Sequence, residues 1–316
     1  MQTAVKDEDE IASCLQLAML LEASAFPKPG NVHRTKDFLE TRFEHFLASA
    51  VALGPTYRLA ARNGIMISRG TMDLSDAKLG KAVRTGTENM MRWQTGGNTS
   101  LGTILLLTPI AISAGLTITN GELHAKRLRT HLKKVLDSST YRDSVEVYRA
   151  ISAVSPGGIG SSGRFDVMSP ESIDRIRRDR IGLLQIFEMA AQRDSVASEW
   201  ITGYKITFEI GYPYFTGCLE AGLDINAGTV NTFLKILSSV PDTLIARKVG
   251  IMKARYVSTR ARQCLEAGGV TTHEGRSLVN RLDRDLRTPN HELNPGTTAD
   301  LVSAVLAITL LGGLRP

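Results

Sequence analysis

Two stretches of this chain, residues 101–114 (LGTILLLTPIAISA) and 301–314 (LVSAVLAITLLGGL), are apolar around their whole circumference and carry no charged side chain. Each is 14 residues long, whereas a helix that crosses a membrane needs about 20 apolar residues. Segments this apolar and this short must be the buried centre of a helical assembly, with amphipathic helices around them. The rest of the chain supplies those helices. Leu39, Phe43, Phe46, Leu47 and Ala50 fall on one helical face, in a helix expected to stop at Gly54-Pro55. Residues 11–26 read as a helix cut off by Pro27 and Pro29. Ile245, Val249, Met252 and Tyr256 belong to a helix that starts after Pro241-Asp242 and ends at Gly268-Gly269. Segments 123–137, 141–154, 171–193 and 275–287 are amphipathic. Strand alternation is almost absent, and there is no internal repeat, low-complexity tract or Pro/Ser-rich linker. The expectation is an all-α protein, one compact multi-helix domain over residues 1–316 with central apolar helices wrapped by amphipathic ones.

Composition narrows the function. With 42% hydrophobic and 22% charged residues the chain is globular, not disordered. Aromatic residues are only 6% of it, few for a protein living on stacked bases. A net charge of +6 and a pI near 9.3 suit a small polyanion as ligand. Acidic residues are too well interspersed for a nucleic-acid stripe, so neither a nucleic acid nor a membrane is expected as partner. Cys14, Cys218 and Cys264 are odd in number and far apart, and the start MQTAVKDEDE lacks a basic n-region. A reducing cytoplasm is the expected location. A homodimer is compatible with such a chain, though nothing in the sequence specifies one.

Gly158-Ile-Gly160-Ser-Ser-Gly163 matches the dinucleotide fingerprint letter for letter. That fingerprint works only between a strand and an apolar helix, and here a helical pattern precedes it and polar FDVMSPES follows. It reads as a Gly-rich loop ending in Arg164 and Asp166, a phosphate loop or a plain connector. The Arg-rich run from Arg175 to Arg180 reads as a solvated helix face.

Four other segments could carry chemistry. In the first, Glu22 closes an apolar helical run and is followed by Pro27-Lys28-Pro29-Gly30-Asn31-Val32-His33-Arg34. Two prolines stiffen this loop and Gly30 lets it turn, so Lys28, Asn31 and His33 form a candidate polar cradle. A buried Glu22 wants a cation, either a metal ion or Lys28 itself across the turn. The second segment, Gln94-Thr95-Gly96-Gly97-Asn98-Thr99-Ser100-Leu101-Gly102, opens the first apolar helix. Asn98 or Thr99 is a natural cap, and the glycines could aim backbone amides at a phosphate, with Gly102 allowing close approach. The third, Asn294-Pro295-Gly296-Thr297-Thr298-Ala299-Asp300, opens the second apolar helix. Thr297 and Asp300 have capping-box spacing, yet an acid beside two buried helix starts also suits a magnesium-phosphate site. In the fourth, Asp242 is first a cap, and Arg247 and Lys248 are either surface charges or phosphate ligands.

Taken in order, PKPG after a glutamate, GGNTxxG opening an apolar helix, DTxxxRxxG and NPGxxADL resemble the triphosphoribosyl-dephospho-CoA synthase family, from Glu22 to Asp300. The resemblance implies an all-α enzyme that transfers the 5-triphosphoribosyl unit of ATP to a hydroxyl of dephospho-CoA and releases adenine. Three departures bear on the acceptor. His33 stands where the family usually has a carboxylate. Ser100 and Leu101 replace a His and a Lys. Arg247-Lys248-Val249-Gly250 replaces the usual RGG. An acceptor other than dephospho-CoA, such as another cofactor precursor, therefore stays open.

Displacement of adenine from the ribose C1 passes through an oxocarbenium-like state, as in other glycosyl transfers. It needs a base, a proton or hydrogen bond for the leaving base, and charge neutralisation on the triphosphate. The implied assignment gives Glu22 or Asp300 the role of base or Mg²⁺ ligand and makes Asp242 a further metal ligand. Lys28, Arg247 and Lys248 hold phosphates, with Gly30, Asn31, Asn98, Thr99, Gly102, Asn294, Gly296 and Thr297 completing the substrate site. His33 is the acid for adenine. Two competing readings are a magnesium-dependent hydrolase using the same site, and a non-enzymatic nucleotide-binding helical protein whose motifs are only caps and turns.

Overall fold

The computed structural model describes residues 5, 7–118, 123–154 and 169–316; the Gly158–Gly163 run, Arg164 and Asp166 lie outside them. The described residues form α1 (Glu8–Ser24), α2 (Phe43–Ser68), α3 (Leu79–Trp93), α4 (Leu101–Thr117), α5 (Ala125–Asp137), α6 (Tyr141–Val154), α7 (Pro170–Asp179) and α8 (Leu183–Ala190). There follow α9 (Ser195–Thr202), α10 (Tyr212–Glu220), α11 (Ile225–Ser239), α12 (Thr243–Val249), α13 (Ile251–Glu266), α14 (His273–Leu286) and α15 (Gly296–Leu311). A π-helical turn, Thr207–Gly211, leads into α10. Among the described residues there is no strand, only an isolated bridge between His33 and Lys36. The chain is all-α, as expected.

The two apolar stretches are α4 and α15, and they lie in the middle. α4 is buried throughout except at Gly102 and Leu116, and α15 except at Gly296 and Asp300. Of their hydroxyl groups, Ser113, Thr117 and Thr309 donate to the carbonyls four residues back, which is how polar side chains enter an apolar core at little cost; Thr108 Oγ1 has no partner among the described residues. α4 packs against α2, α3, α5 and α15, and α15 against α1 and α11. α2 and α4 approach to backbone contact, because a Cβ on Gly64 would lie 2.0 Å from the Ile112 carbonyl oxygen and one on Gly115 2.0 Å from that of Ala61. No helix among the described residues is long and apolar enough to cross a membrane.

Three helix boundaries differ from expectation. α2 does not stop at Gly54-Pro55 but runs through Pro55 to Ser68, and Leu39 lies outside it, 91% exposed. Pro55 removes the amide that would pair with the Val51 carbonyl. Gln16 of α1 takes its place, its Nε2 donating to Ala50 O (3.0 Å) and Val51 O (3.2 Å), and Gly54 leaves room for that side chain. The same device recurs in α4. Pro109 frees the Leu105 carbonyl, which accepts from Trp200 Nε1 (3.2 Å), while Tyr204 donates to Leu106 O (2.8 Å). Elsewhere the expected helices are each broken once: 171–193 at Arg180 (φ 50) and 243–266 at Gly250 (φ 91). Both breaks sit in the left-handed half of backbone space, where a right-handed helix cannot continue.

Candidate active site

Where the starts of α4 and α15 meet α1, α8, α9 and α12, a cavity of about 660 Å³ opens. The carboxylates of Glu22 and Asp300 line it. Glu22, near the end of α1, is 5% exposed and ion-paired with Lys28, whose ammonium also donates to the Glu22 carbonyl (2.8 Å). Burial pushes the Glu22 carboxyl up, with the Lys28 charge working against it. Asp300 is one of the two residues of α15 that are not buried. Its Oδ1 accepts from the Thr103 hydroxyl (2.6 Å). Enclosure, opposed by that hydrogen bond, with the nearby Glu22 and Asp242 carboxylates adding to it, raises its pKa to about 7. Arg193, Arg247 and Lys248 line the same cavity. Arg247 pairs with Asp194 (2.6 Å), whose other oxygen caps α9, and Lys248 donates to the His291 carbonyl (3.2 Å). Burial lowers the Lys248 pKa. The wall from α6 and α8, including Val147, Ile151, Ile186 and Phe187, is apolar.

Eleven of the expected site residues line this cavity: Glu22, Asn31, Asn98, Thr99, Gly102, Arg247, Lys248, Asn294, Gly296, Thr297 and Asp300. Asn31 and Asn294, 263 positions apart, are joined by a 2.9 Å bond from Asn31 Nδ2 to Asn294 Oδ1. Asn98 Oδ1 accepts from the Leu101 amide (3.1 Å), and Thr99 shares a hydroxyl contact with Ser49 (2.7 Å).

Four expected residues take other places, each for a physical reason. Lys28 is fully buried behind Glu22 and does not line the cavity, so it holds the carboxylate instead of a phosphate. Gly30 (φ 69) packs on α14, where a Cβ would lie 2.6 Å from that of Leu286, and its amide donates to Asp283 (3.0 Å). His33 is 1% exposed, set between the Thr35 hydroxyl (3.1 Å) and the Arg287 guanidinium (3.2 Å). Burial is the main cause holding its pKa near 4, so at neutral pH it is an uncharged imidazole, and it does not line the cavity where adenine would leave. Asp242 has no lone pair to spare for a metal. Oδ1 caps α12 by accepting from the Leu244 and Ile245 amides, and Oδ2 accepts from the amide and hydroxyl of Thr298 at 2.8 Å each.

Two local readings change as well. Thr297 and Asp300 make no capping box, since Asp300 reaches across to Thr103 while Thr297 accepts from the Thr243 hydroxyl (3.2 Å). Gly102 makes room for protein and not for ligand, because a Cβ there would sit 2.1 Å from Asp300 Oδ2. Thr103, Arg193, Phe38 and His291 escaped the sequence reading. Only His291 left a signal, as a histidine in the polar turn between Asn290 and the NPG motif.

Fold and cavity together define a class, an all-α protein built around a small-molecule site with a carboxylate floor and a cationic wall. The model of the family described as CitG, ATP:dephospho-CoA triphosphoribosyl transferase, matches residues 8–316. The chain belongs to that family, and it is a triphosphoribosyl transferase. Among curated relatives, a protein of Pseudomonas savastanoi pv. phaseolicola named "Probable 2-(5''-triphosphoribosyl)-3'-dephosphocoenzyme-A synthase" is 26% identical over 303 residues, covering 95% of this chain and 89% of that one. A protein of the same name from Stutzerimonas stutzeri is 26% identical over 314 residues, covering 96% and 92%. A solved structure from Archaeoglobus fulgidus, described as a triphosphoribosyl-dephospho-CoA synthase, shares the fold with a TM-score of 0.62 at 22% identity, covering 85% of this chain and all of that one.

Proposed function

We propose that this cavity binds ATP with Mg²⁺ and transfers its 5-triphosphoribosyl unit to a hydroxyl of dephospho-CoA, or of a related cofactor precursor, releasing adenine. The observation that carries the reading is the gathering of both charges in one cavity: the carboxylates of Glu22, near the end of α1, and Asp300, in the first turn of α15, with the cations Arg193, Arg247 and Lys248. The cations hold the triphosphate, Arg247 after exchanging Asp194 for a phosphate oxygen. One carboxylate of the pair takes the proton of the attacking hydroxyl as the C1–N bond to adenine breaks and the new C1–O bond forms, and that proton ends on the adenine released.

Among the described residues no group of three or more His, Cys, Asp or Glu side chains gathers to hold a metal. Mg²⁺ asks for less, since it is commonly bound by one or two carboxylates together with substrate phosphates. Glu22 Oε2 and Asp300 Oδ2 fit that demand, and Asp242 does not, its oxygens being spent on four hydrogen bonds. When bound, the ion would neutralise charge on the triphosphate. We read the protein as a single cytoplasmic domain, in keeping with an ATP-dependent reaction, its free cysteines and a main core drawn from α1 to α15.

Incubation with magnesium-ATP and dephospho-CoA tests the reading, with free adenine and acceptor mass followed together. The expected result is one adenine per acceptor that gains a triphosphoribosyl unit, abolished by Glu22→Gln. Adenine release with no gain in acceptor mass means hydrolysis and refutes transfer.

A further inference from the structure

We propose that Phe38 and His291 form a stacking platform for an adenine base; the inference rests on the nucleotide reading above and names the part of the cavity that holds the base. The two residues come from separate loops 253 positions apart, and both line the cavity. Their rings lie nearly parallel, centroids 3.8 Å apart and tilted by 17°. Of the other aromatic groups that line the cavity, Tyr148 is 1% exposed, Phe187 is buried edge-on against Trp200, and Phe46 is partly open but stacks on no second ring among the described residues. Phe38 and His291 stay partly open.

The arrangement at His291 is costly. Its backbone is left-handed (φ 52), and its Nδ1 is buried with no hydrogen-bond partner among the described residues. Strain and an unpaired polar atom at one residue that borders a cavity point to ligand binding. Arg287 secures the platform from behind. It donates to Asn31 O (2.7 Å) and Asp283 (3.0 Å), and its guanidinium lies 5.8 Å from the Phe38 ring centre. Burial, with Lys248 and Arg287 nearby, keeps the imidazole below its ordinary pKa, so near pH 7 it stacks as a neutral ring. The charge beside it belongs to Lys248, whose ammonium holds the His291 carbonyl. A flat aromatic surface next to a phosphate-holding cation matches a nucleotide, whose base needs a π face and whose phosphates need positive charge.

Both ATP and dephospho-CoA carry adenine, and the experiment separates them. Titration calorimetry compares wild type with Phe38→Leu and His291→Asn, the second chosen because Asn tolerates left-handed backbone. The ligands are ATP, dephospho-CoA and inorganic tripolyphosphate, each with magnesium. Loss of one stacking surface should weaken the adenine ligand seated there by roughly ten- to a hundredfold and leave tripolyphosphate within about twofold, which also shows that the variants are folded. A loss confined to ATP assigns the platform to the leaving base, and one confined to dephospho-CoA assigns it to the acceptor; either supports it. Equal losses for nucleotide and tripolyphosphate, or variants that bind every ligand like wild type, overturn the platform alone. A wild-type protein that binds neither nucleotide overturns the functional reading and the platform with it.

Discussion

Replacing Lys28 by Met keeps the length and apolar body of the side chain and deletes its charge. In the folded protein this ammonium is fully buried and serves one residue, donating to the carboxylate and the carbonyl of Glu22. A charge-assisted bond is worth about 1.5–3 kcal/mol and a neutral-acceptor bond about 1, so roughly 2.5–4 kcal/mol is at stake, overlapping the ~3–5 expected when one side of a buried pair is removed. The loss depends on pH. Burial already raises the Glu22 pKa and Lys28 is its counterweight, so the variant raises it further. Between the ordinary carboxylate value of 4.5 and the raised one, the folded variant binds more protons than the unfolded chain, and its stability falls as pH rises, by up to about 1.4 kcal/mol per pH unit. Urea unfolding at pH 4.5 and pH 8 should therefore show a deficit that is small at the lower pH and full at the higher one. The double variant Glu22→Gln/Lys28→Met has nothing left to ionise at this place and should regain at least half of the loss at pH 8. If Lys28→Met stays within about 0.5 kcal/mol of wild type at pH 8 while losing ATP affinity and keeping adenosine affinity, Lys28 serves a phosphate and the buried-pair argument is wrong.

Other consequences follow from the same geometry. Gln16→Ala strips the cap from the Pro55-freed Val51 carbonyl and should cost about 1–3 kcal/mol in thermal or denaturant unfolding; a change below about 0.3 kcal/mol would mean water replaces it freely. Gly102→Ala places a methyl group on Asp300 Oδ2, so triphosphoribosyl transfer should drop at least tenfold while circular dichroism stays native, and full activity would show that Asp300 need not sit there. Asp300, raised to about 7 from the ordinary 3.8, lowers stability as pH climbs through that window. Asp300→Asn should thus gain on wild type between pH 4 and pH 7 in guanidinium titrations, and parallel curves would contradict the shift. Arg247→Ala frees Asp194 and removes a phosphate donor. ATP binding should weaken about tenfold or more with adenosine little changed, and equal losses would count against the phosphate role.

The all-α class and the identity of the two central helices were legible in the sequence because they depend on local quantities: periodicity, segment length and the absence of charge in 101–114 and 301–314. The PKPG, GGNT, DT and NPG motifs likewise singled out eleven residues of the cavity, since helix starts must be built from Gly, Asn, Thr and Asp wherever they end up. What local pattern could not supply was the partner of each side chain. Pro55 and Gly54 read as a stop, and only α1, arriving with Gln16, let α2 continue. The Lys28–Glu22 pair and the Asp242 cap were local alternatives already, yet the Arg287 guanidinium beside His33 and the Thr298 groups on Asp242, 56 positions away, come from the folded chain. Gly102 and Asp300, 198 positions apart, define the floor of the cavity by a contact no spacing rule contains. Phe38 and His291 meet for the same reason. The sequence by itself determined that two apolar helices would be buried and that their starts would be polar and glycine-rich, because the hydrophobic effect and helix capping act residue by residue. Tertiary packing decided which of the charged groups face one another and which face the ligand, because burial and pairing are properties of neighbours in space.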